Sequence, residues 1–163
     1  MEGVRLRAAA SGDARFLSEM LVEAANWSAL PARSRVAVLD DPSVSRYIAG
    51  WARPGDFGLV AMDADGIPVG ACWARLFPAY APGSGFVGVG VPELTVGVNP
   101  QWRARGIGRA LLHGLHEQAA QAGHGRVSLS VDRANFAQRL YRSEGYSVVS
   151  SGDRADVMVR VLR

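Results

Sequence analysis

Two glycines and three arginines lie close together where a short apolar segment gives way to a helical pattern. Gly106 and Gly108 flank the start of the predicted helix, and Arg103, Arg105 and Arg109 lie beside them. A helix N-terminus presents unpaired N–H groups and partial positive charge. Glycines let an anion approach that backbone closely, and guanidinium groups pair well with phosphate oxygens. The spacing therefore indicates either a pyrophosphate-binding turn or a tight strand-to-helix turn that needs glycine for packing.

Two other phosphate-binding motifs do not fit this segment. A dinucleotide-binding fingerprint requires Gly or Ala three residues after the second glycine, where this chain has Leu111. A P-loop requires Gly-Lys-Ser/Thr, which the sequence lacks. Both of these nucleotide-binding classes are therefore excluded.

A family resemblance adds to this interpretation. Residues 103–108, Arg-Ala-Arg-Gly-Ile-Gly, match the R/Q-x-x-G-x-G/A motif of the GNAT superfamily of acyl-CoA-dependent N-acyltransferases. The preceding residues 93–100 resemble that family's fourth strand. Residues 135–146, Asn-Phe-Ala-Gln-Arg-Leu-Tyr-Arg-Ser-Glu-Gly-Tyr, resemble its second signature, N-x-A-x-x-L-Y-x-x-x-G-[FY]. Two motifs at the expected separation are stronger evidence than one Gly-rich turn.

The resemblance implies acetyl-CoA as the acyl donor and assigns residues to it. The turn would hold the CoA pyrophosphate through its backbone amides, at Arg103, Ala104, Arg105, Gly106, Ile107, Gly108 and Arg109. Val96 and Val98 would offer main-chain groups to the pantetheine arm and the acetyl carbonyl. Gly97 would form a bulge that splays this strand from the next, and a lone strand glycine is itself a bulge signal. Asn135 would contact the cofactor near its thiol end, and Tyr141 would face the sulfur.

Transfer of an acetyl group to an amine calls for a base and an acid. A lysine-type amine, with a pKa of about 10.4, is protonated at neutral pH and must lose a proton before it attacks. Glu93 is the candidate base, and a solvated strand-end carboxylate is the competing interpretation; Glu23 is a weaker candidate. Tyr141 is the candidate acid for the departing thiolate, and a half-buried core tyrosine is its alternative. A backbone N–H would stabilise the oxyanion that forms.

Three aromatic residues are candidates for the acceptor site. Trp27 lies between the first two predicted helices, and Tyr80 and Phe86 lie in the long Gly- and Pro-rich loop 78–90. The family builds its acceptor site from such segments, but simple packing explains each residue equally well. None of them identifies the amine.

The histidines and the cysteine are interpreted as structural. His113 and His116 lie three residues apart on a predicted helix, but no H-E-x-x-H motif accompanies them. We therefore expect a solvated helix face and no metal. Cys72 is the only cysteine, which excludes an intrachain disulfide, favours a reducing compartment and predicts a small buried side chain.

The composition predicts a globular protein without a nucleic-acid or membrane partner. Apolar residues make up 48% of the chain and charged residues 20%, which is typical of soluble domains. The net charge of +3 is mild, and no run of Lys and Arg stands out. No apolar run approaches the ~18 residues of a membrane span, and residues 1–7 lack the apolar core of a signal peptide. We expect a cytoplasmic protein, and the family resemblance suggests a homodimer.

The hydrophobic pattern predicts a mixed α/β fold. Strands are expected at 4–8, 57–62, 67–76, 93–98, 126–131, 146–150 and 157–162. Two helices are expected to begin after the N-caps Ser11 and Asp41, and two more are expected at 107–122 and 134–143. An antiparallel meander thus leads into a βαβ unit. The resemblance implies one GNAT-like domain over residues 1–163, with six or seven strands, about four helices, and a splay between the fourth and fifth strands.

The predicted function is N-acetyl transfer. The acceptor would be a primary amine of a small molecule or of a protein or peptide N-terminus. The alternative is a non-catalytic acyl-CoA-binding or sensor module, against which the presence of both Glu93 and Tyr141 argues.

Overall fold

Seven strands form one mixed sheet in the computed structural model, which describes residues 3–28 and 32–162. The strands are β1 (Arg5–Ala8), β2 (Phe57–Met62), β3 (Pro68–Arg75), β4 (Glu93–Val98), β5 (Arg126–Asp132), β6 (Ser147–Ser151) and β7 (Ala155–Val161). The helices are α1 (Ala14–Ala25), α2 (Arg35–Leu39), α3 (Pro42–Ser45), α4 (Ile107–Gln121) and α5 (Ala137–Ser143). The spatial order is β1-β2-β3-β4-β5-β7-β6, and only β4 and β5 pair in parallel. The predicted mixed α/β fold is confirmed.

The two faces of the sheet bury separate apolar cores. Helix α4 contributes one apolar face to the larger core, and four residues at helical spacing on this face are buried: Ile107, Leu111, Leu115 and Ala119. Helix α1 covers the opposite face and packs Leu17 and Met20 against Val60 and Trp73. Alternate residues of a strand point to opposite faces, so each central strand contributes to both cores.

The predicted splay lies between β4 and β5. The two strands share one residue pair, Glu93 with Ser128, and diverge beyond it. The bulge predicted at Gly97 is wrong, because the β3–β4 register runs without a shift through the pair of Ala71 and Gly97. Gly97 is needed for a different reason: a Cβ there would overlap the carbonyl oxygen of Met20 on α1. Glycine at this position lets α1 lie directly on the strand.

The region between α1 and β2 differs most from the prediction. The pattern did not predict α2, which is only five residues long and is capped by Ser34, whose Oγ accepts from Ala37 N at 3.1 Å. The expected cap at Asp41 is confirmed, but α3 ends at Ser45, although apolar residues at helical spacing continue to Trp51. Buried Arg75 donates to the carbonyls of Arg46 and Ala49, and the Trp73 indole donates to that of Tyr47. Tertiary hydrogen bonds thus replace the continuation of the helix.

The remaining elements lie within a few residues of their predicted bounds, and β2 and β4 match them fully. Helix α5 begins at Ala137 rather than at 134, because Asp132 and Asn135 form local turns. Asp132 Oδ1 accepts from Ala134 N, and Asn135 Oδ1 accepts from Ala137 N, each at 2.9 Å. Within residues 3–28 and 32–162, no helix has the length and apolar character needed to cross a membrane.

Candidate active site

The divergence of β4 and β5 opens a cleft of about 1060 Å³. Both strands, α1, α5, the N-terminus of α4 and the loop after β3 contribute to its walls. Ten of the residues singled out in the sequence line it: Glu23, Trp27, Glu93, Val96, Gly97, Val98, Arg103, Gly108, Asn135 and Tyr141. The fold therefore brings both predicted motifs to one cavity.

The turn before α4 presents a series of backbone amides. Ala104 and Gly106 have positive φ angles of 61° and 82°, and the former is a conformation that L-residues with a side chain rarely adopt. The first hydrogen bond of the helix runs from Ala110 N to Gly106 O at 3.1 Å, so the amides of residues 107–109 have no partner within the helix. Alternating turn conformations at a helix start create an anion-binding concavity. The turn fits a pyrophosphate group by this criterion.

The two glycines of the turn serve different purposes. Gly106 accommodates the positive φ at the helix start. A Cβ at Gly108 would lie 3.5 Å from Leu140 Cδ2, which is an ordinary van der Waals contact. Packing within the protein therefore does not require glycine at position 108, whereas close approach of a ligand to the amide would. This observation favours the ligand-binding interpretation of the spacing.

The three arginines of the motif have different surroundings. Arg103 lines the cleft, where its side chain donates to Val98 O and to Glu23 Oε2, each at 3.3 Å. The Arg105 guanidinium stacks 4.7 Å from the centre of the Trp102 ring. Arg109 forms an ion pair with Glu144, which belongs to the turn after α5. Of the three, only Arg103 lines the cleft in the described part of the chain.

The main chain of β4 offers hydrogen-bonding groups to the cleft. Towards β3, Asn99 N donates to Val69 O. Towards β5, Pro92 O accepts from Ser128 N. Main-chain groups alternate sides along a strand, so Val96 and Val98 direct theirs towards β5. Beyond residue 93 no β4–β5 pair is formed in the described sheet, and these groups face the cleft.

Glu93 is a buried carboxylate with two donors on one oxygen. The Tyr47 hydroxyl donates to Oε2 at 2.6 Å, and Gly85 N donates to the same atom at 3.0 Å. Oε1 has no hydrogen-bond partner among the described residues. Burial raises the pKa of Glu93 above its ordinary value, against the opposing effects of these donors and of Arg46. The interpretation of Glu93 as a solvated carboxylate is wrong, since its exposure is 3%.

Two glycines of the loop after β3 make this burial possible. A Cβ at Gly83 would overlap Glu93 Oε1, and a Cβ at Gly85 would overlap the backbone of Leu129. Ser84, between them, donates its N–H to the Tyr47 hydroxyl at 2.8 Å. The sequence singled out this loop for its aromatic residues, but its glycines and main-chain amides are what contact Glu93.

Tyr141 reaches the cleft from the opposite face of the sheet. It belongs to the core around α4, and its ring packs edge-on against Tyr146 at 5.8 Å. Burial raises the pKa of Tyr141, so the hydroxyl stays protonated at neutral pH. That hydroxyl makes no hydrogen bond to any residue described in the structure and is free to donate into the cleft. Asn135, on the approach to α5, lines the same cleft.

The three aromatic acceptor candidates do not lie together. Trp27 is half-buried and lines the cleft. Tyr80 is 91% exposed and Phe86 is half-buried, and both lie outside the cleft lining. The side chains that line this end instead include Ser43, Val44 and Tyr47, which the sequence analysis did not single out for this role. The only local signal for them was the Asp41-Pro42 pair, a cap followed by Pro at the first helical position, which placed them after a helix start.

The solvated face expected for both histidines holds only for His113. Its side chain is 60% exposed and contacts Glu144. His116 is buried, its Nε2 lies 2.7 Å from the Tyr146 hydroxyl, and burial lowers its pKa to about 4. Cys72 is fully buried, as predicted. In the ranges that the structure describes, no group of three or more His, Cys, Asp or Glu side chains could hold a metal ion.

Comparisons of the sequence with known proteins point to one family. The model of the acetyltransferase (GNAT) family matches residues 21–146. The mycothiol acetyltransferase of Nocardiopsis dassonvillei is 35% identical over 111 residues, which are 66% of this chain and 32% of that protein. The chain therefore spans about a third of the length of this curated relative.

Solved structures share the fold at low sequence identity. The PaiA N-acetyltransferase from Thermoplasma acidophilum in complex with coenzyme A has a TM-score of 0.69 and 17% identity, with 97% of this chain and 98% of that chain covered. A GCN5-related N-acetyltransferase from Kribbella flavida has a TM-score of 0.69 and 22% identity, with 99% of each chain covered. A phosphinothricin acetyltransferase from Sinorhizobium meliloti in complex with AcCoA has a TM-score of 0.66 and 20% identity, with 98% and 89% covered. The family model matches most of the length of the chain, and the solved structures share the fold that forms the cleft. The chain therefore belongs to the GNAT acetyltransferase family.

Proposed function

We propose that the protein transfers an acetyl group from acetyl-CoA to a primary amine of a small molecule or of a protein or peptide N-terminus. One observation carries the proposal: Glu93 and Tyr141 line the same cleft as Gly108 at the start of α4. The cleft thus combines a buried carboxylate, a protonated phenol and an anion-binding turn. In acetyl transfer from acetyl-CoA, a carboxylate can take the proton of the amine, a phenol can protonate the departing thiolate, and an anion-binding turn can hold the phosphates of the donor.

Glu93 acts as the base in this proposal. A protonated amine must lose a proton before it attacks, and Glu93 accepts that proton directly or through a water molecule. Burial raises its pKa, so the ionised carboxylate is a stronger base than that of an exposed glutamate. Burial away from bulk water strengthens its attraction for a cationic amine.

The donor lies along β4 and the start of α4. The amides of residues 107–109 and the Arg103 guanidinium bind the pyrophosphate, and the main chain at Val96 and Val98 pairs with the pantetheine arm. A β4 N–H that faces the cleft stabilises the developing oxyanion. Asn135 and Tyr141 lie towards the thiol end, where the tyrosine hydroxyl gives its proton to the departing thiolate.

A panel of primary amines tests the proposal. Alkylamines, diamines, α-amino acids and short peptides are each mixed with acetyl-CoA and the protein, and release of free thiol is followed with a chromogenic disulfide. Mass spectrometry identifies the acetylated amine. We expect thiol release that depends on one class of amine and disappears in Glu93→Gln.

The alternative is an acyl-CoA-binding module without catalysis. Tight binding of acetyl-CoA in calorimetry, together with no acetylated amine across the panel, would favour that alternative over the proposed transfer. Among the described residues Oε1 of Glu93 has no donor, which argues for catalysis, because burying a carboxylate oxygen without a donor is costly and serves no purpose in a binding module.

A further inference from the structure

A tyrosine outside both sequence motifs holds the candidate base in place. Tyr47, in the turn after α3, donates its hydroxyl proton to Glu93 Oε2 at 2.6 Å across 46 positions of the chain. We propose that Tyr47 is a positioning residue that fixes the orientation of the Glu93 carboxylate and keeps it ionised for proton abstraction. This inference rests on the proposed role of Glu93 as the base.

The backbone, the ring and the hydroxyl of Tyr47 each make a contact that fixes the side chain. Its carbonyl accepts from the Trp73 indole at 2.9 Å, and its ring packs edge-on against Phe77 at 5.3 Å. Its hydroxyl oxygen accepts from Ser84 N at 2.8 Å, which leaves the single hydroxyl proton to be donated to Glu93. A side chain fixed in this way directs its proton to one acceptor.

The pattern of donors makes the two carboxylate oxygens of Glu93 unequal. Tyr47 and Gly85 both donate to Oε2, while Oε1 has no partner among the described residues. Oε2 is thus the anchored oxygen, and Oε1 is the one left to accept the proton of the amine. Gly83 lies against Oε1, where any larger residue would displace it.

The other charged groups around Glu93 are committed to different partners. Arg46 donates to Pro82 O at 2.8 Å and to Ser84 Oγ at 2.7 Å. Arg75, the cross-strand partner of Glu93 on β3, forms a buried ion pair with Asp56 at 2.7 Å. Burial and the charge of Glu93 raise the pKa of Tyr47 to about 12, so its hydroxyl remains a donor throughout the neutral range. A shift of the Glu93 titration in a Tyr47 variant therefore reports the lost hydroxyl.

The test removes that hydroxyl alone. Tyr47→Phe keeps the ring against Phe77 and the main-chain acceptor for Trp73, and circular dichroism checks that the fold is retained. The titration of Glu93 is followed by NMR with ¹³Cδ-labelled glutamate, assigned by comparison with Glu93→Gln. We expect the pKa of Glu93 to rise by about one pH unit, since the carboxylate loses a donor that stabilises its charged form. In the pH profile of kcat/KM for the best amine of the panel, the pKa of the acid limb should rise by the same amount. The KM for acetyl-CoA should be unchanged.

Tyr80→Phe is the matched control, because it also removes one phenolic hydroxyl but at a residue that is 91% exposed and outside the cleft. It should change neither the pKa of Glu93 nor the pKa of the acid limb of kcat/KM. An unchanged Glu93 titration in Tyr47→Phe would overturn the proposal, and so would a shifted titration with an unmoved acid limb. If the wild-type protein acetylates no amine, that result contradicts the proposed function alone. The NMR titration of Glu93 then still decides whether Tyr47 sets the pKa of the carboxylate.

Discussion

The two sides of the β4–β5 cleft offer a ligand different kinds of group. On the α4 side, the turn presents backbone amides from which Gly108 keeps side chains away. On the α1 side, Glu93 presents a single buried carboxylate that Tyr47 and Gly85 hold by one oxygen. We propose that the first arrangement binds an anion and that the second accepts one proton. Donor binding and acceptor chemistry should therefore be separable by mutation.

The largest expected effect is on the binding side. Gly108→Glu should abolish measurable acetyl-CoA binding, because it places a side chain and a negative charge against the anion-binding amides. Isothermal titration calorimetry on the folded variant measures the loss. Gly108→Ala is the matched variant for folding, since a Cβ at this position makes only an ordinary contact with Leu140, and it should weaken binding less than Gly108→Glu because it adds no charge. Unchanged affinity in Gly108→Glu would show that the donor does not bind at this turn.

The next largest effect is expected on the chemical side. Glu93→Gln should lower kcat by about 10²- to 10⁴-fold at neutral pH and leave the acetyl-CoA Kd nearly unchanged. In the wild type, activity is lost as the pH falls through the raised pKa of Glu93, because the protonated carboxyl no longer accepts a proton. The variant lacks this limb, and its deficit should shrink as the pH rises and more of the amine is already neutral. A pH profile identical to that of the wild type would move the base to water or to Glu23.

Tyr141→Phe should affect kcat less than loss of the base does. The missing hydroxyl acts mainly in the transition state, so we expect a fall of about 10²-fold with an intact acetyl-CoA Kd. Single-turnover kinetics with a reactive amine measure the chemical step. Full activity in Tyr141→Phe would mean that the ring only packs against Tyr146.

The smallest effect distinguishes the arginines of the turn. Arg103 lines the cleft, whereas Arg109 is paired with Glu144, so Arg103→Ala should weaken acetyl-CoA binding by about tenfold and Arg109→Ala by less. Pantetheine fragments without phosphate should lose little affinity in either variant, because the proposed partner of Arg103 is a phosphate. Equal losses for acetyl-CoA and for the fragments would contradict a phosphate-binding role.

The turn before α4 was predictable because it is contiguous in the sequence. Gly106 and Gly108 belong to one backbone turn. The strand pattern before this turn and the helix pattern after it are both local signals in the sequence. The splay of β4 from β5 followed from the family resemblance. Helix α2 was missed because five residues are too few to show a periodicity.

The surroundings of Glu93 were not predictable, because they come from distant parts of the chain. Tyr47 and Gly85 meet the carboxylate only after α3 and the loop after β3 have folded against β4. Gly97 shows the same limit, since a strand glycine indicates either a bulge or a close approach, and the position of α1 decides between them. His116 has helical spacing like His113, but its burial depends on Tyr146, thirty residues away.

The single residue pair between β4 and β5 also bears on aggregation. A strand whose N–H and C=O groups lack a partner usually invites pairing with another polypeptide. Here the unpaired lengths of both strands form the floor of a cleft, with α1 on one side and α4 and α5 on the other. A folded neighbour cannot lay a strand between these walls, whereas a slender extended molecule with amide groups of its own can. The protein thus keeps two open strand edges in its interior, where they are protected from other chains and remain available to a narrow ligand.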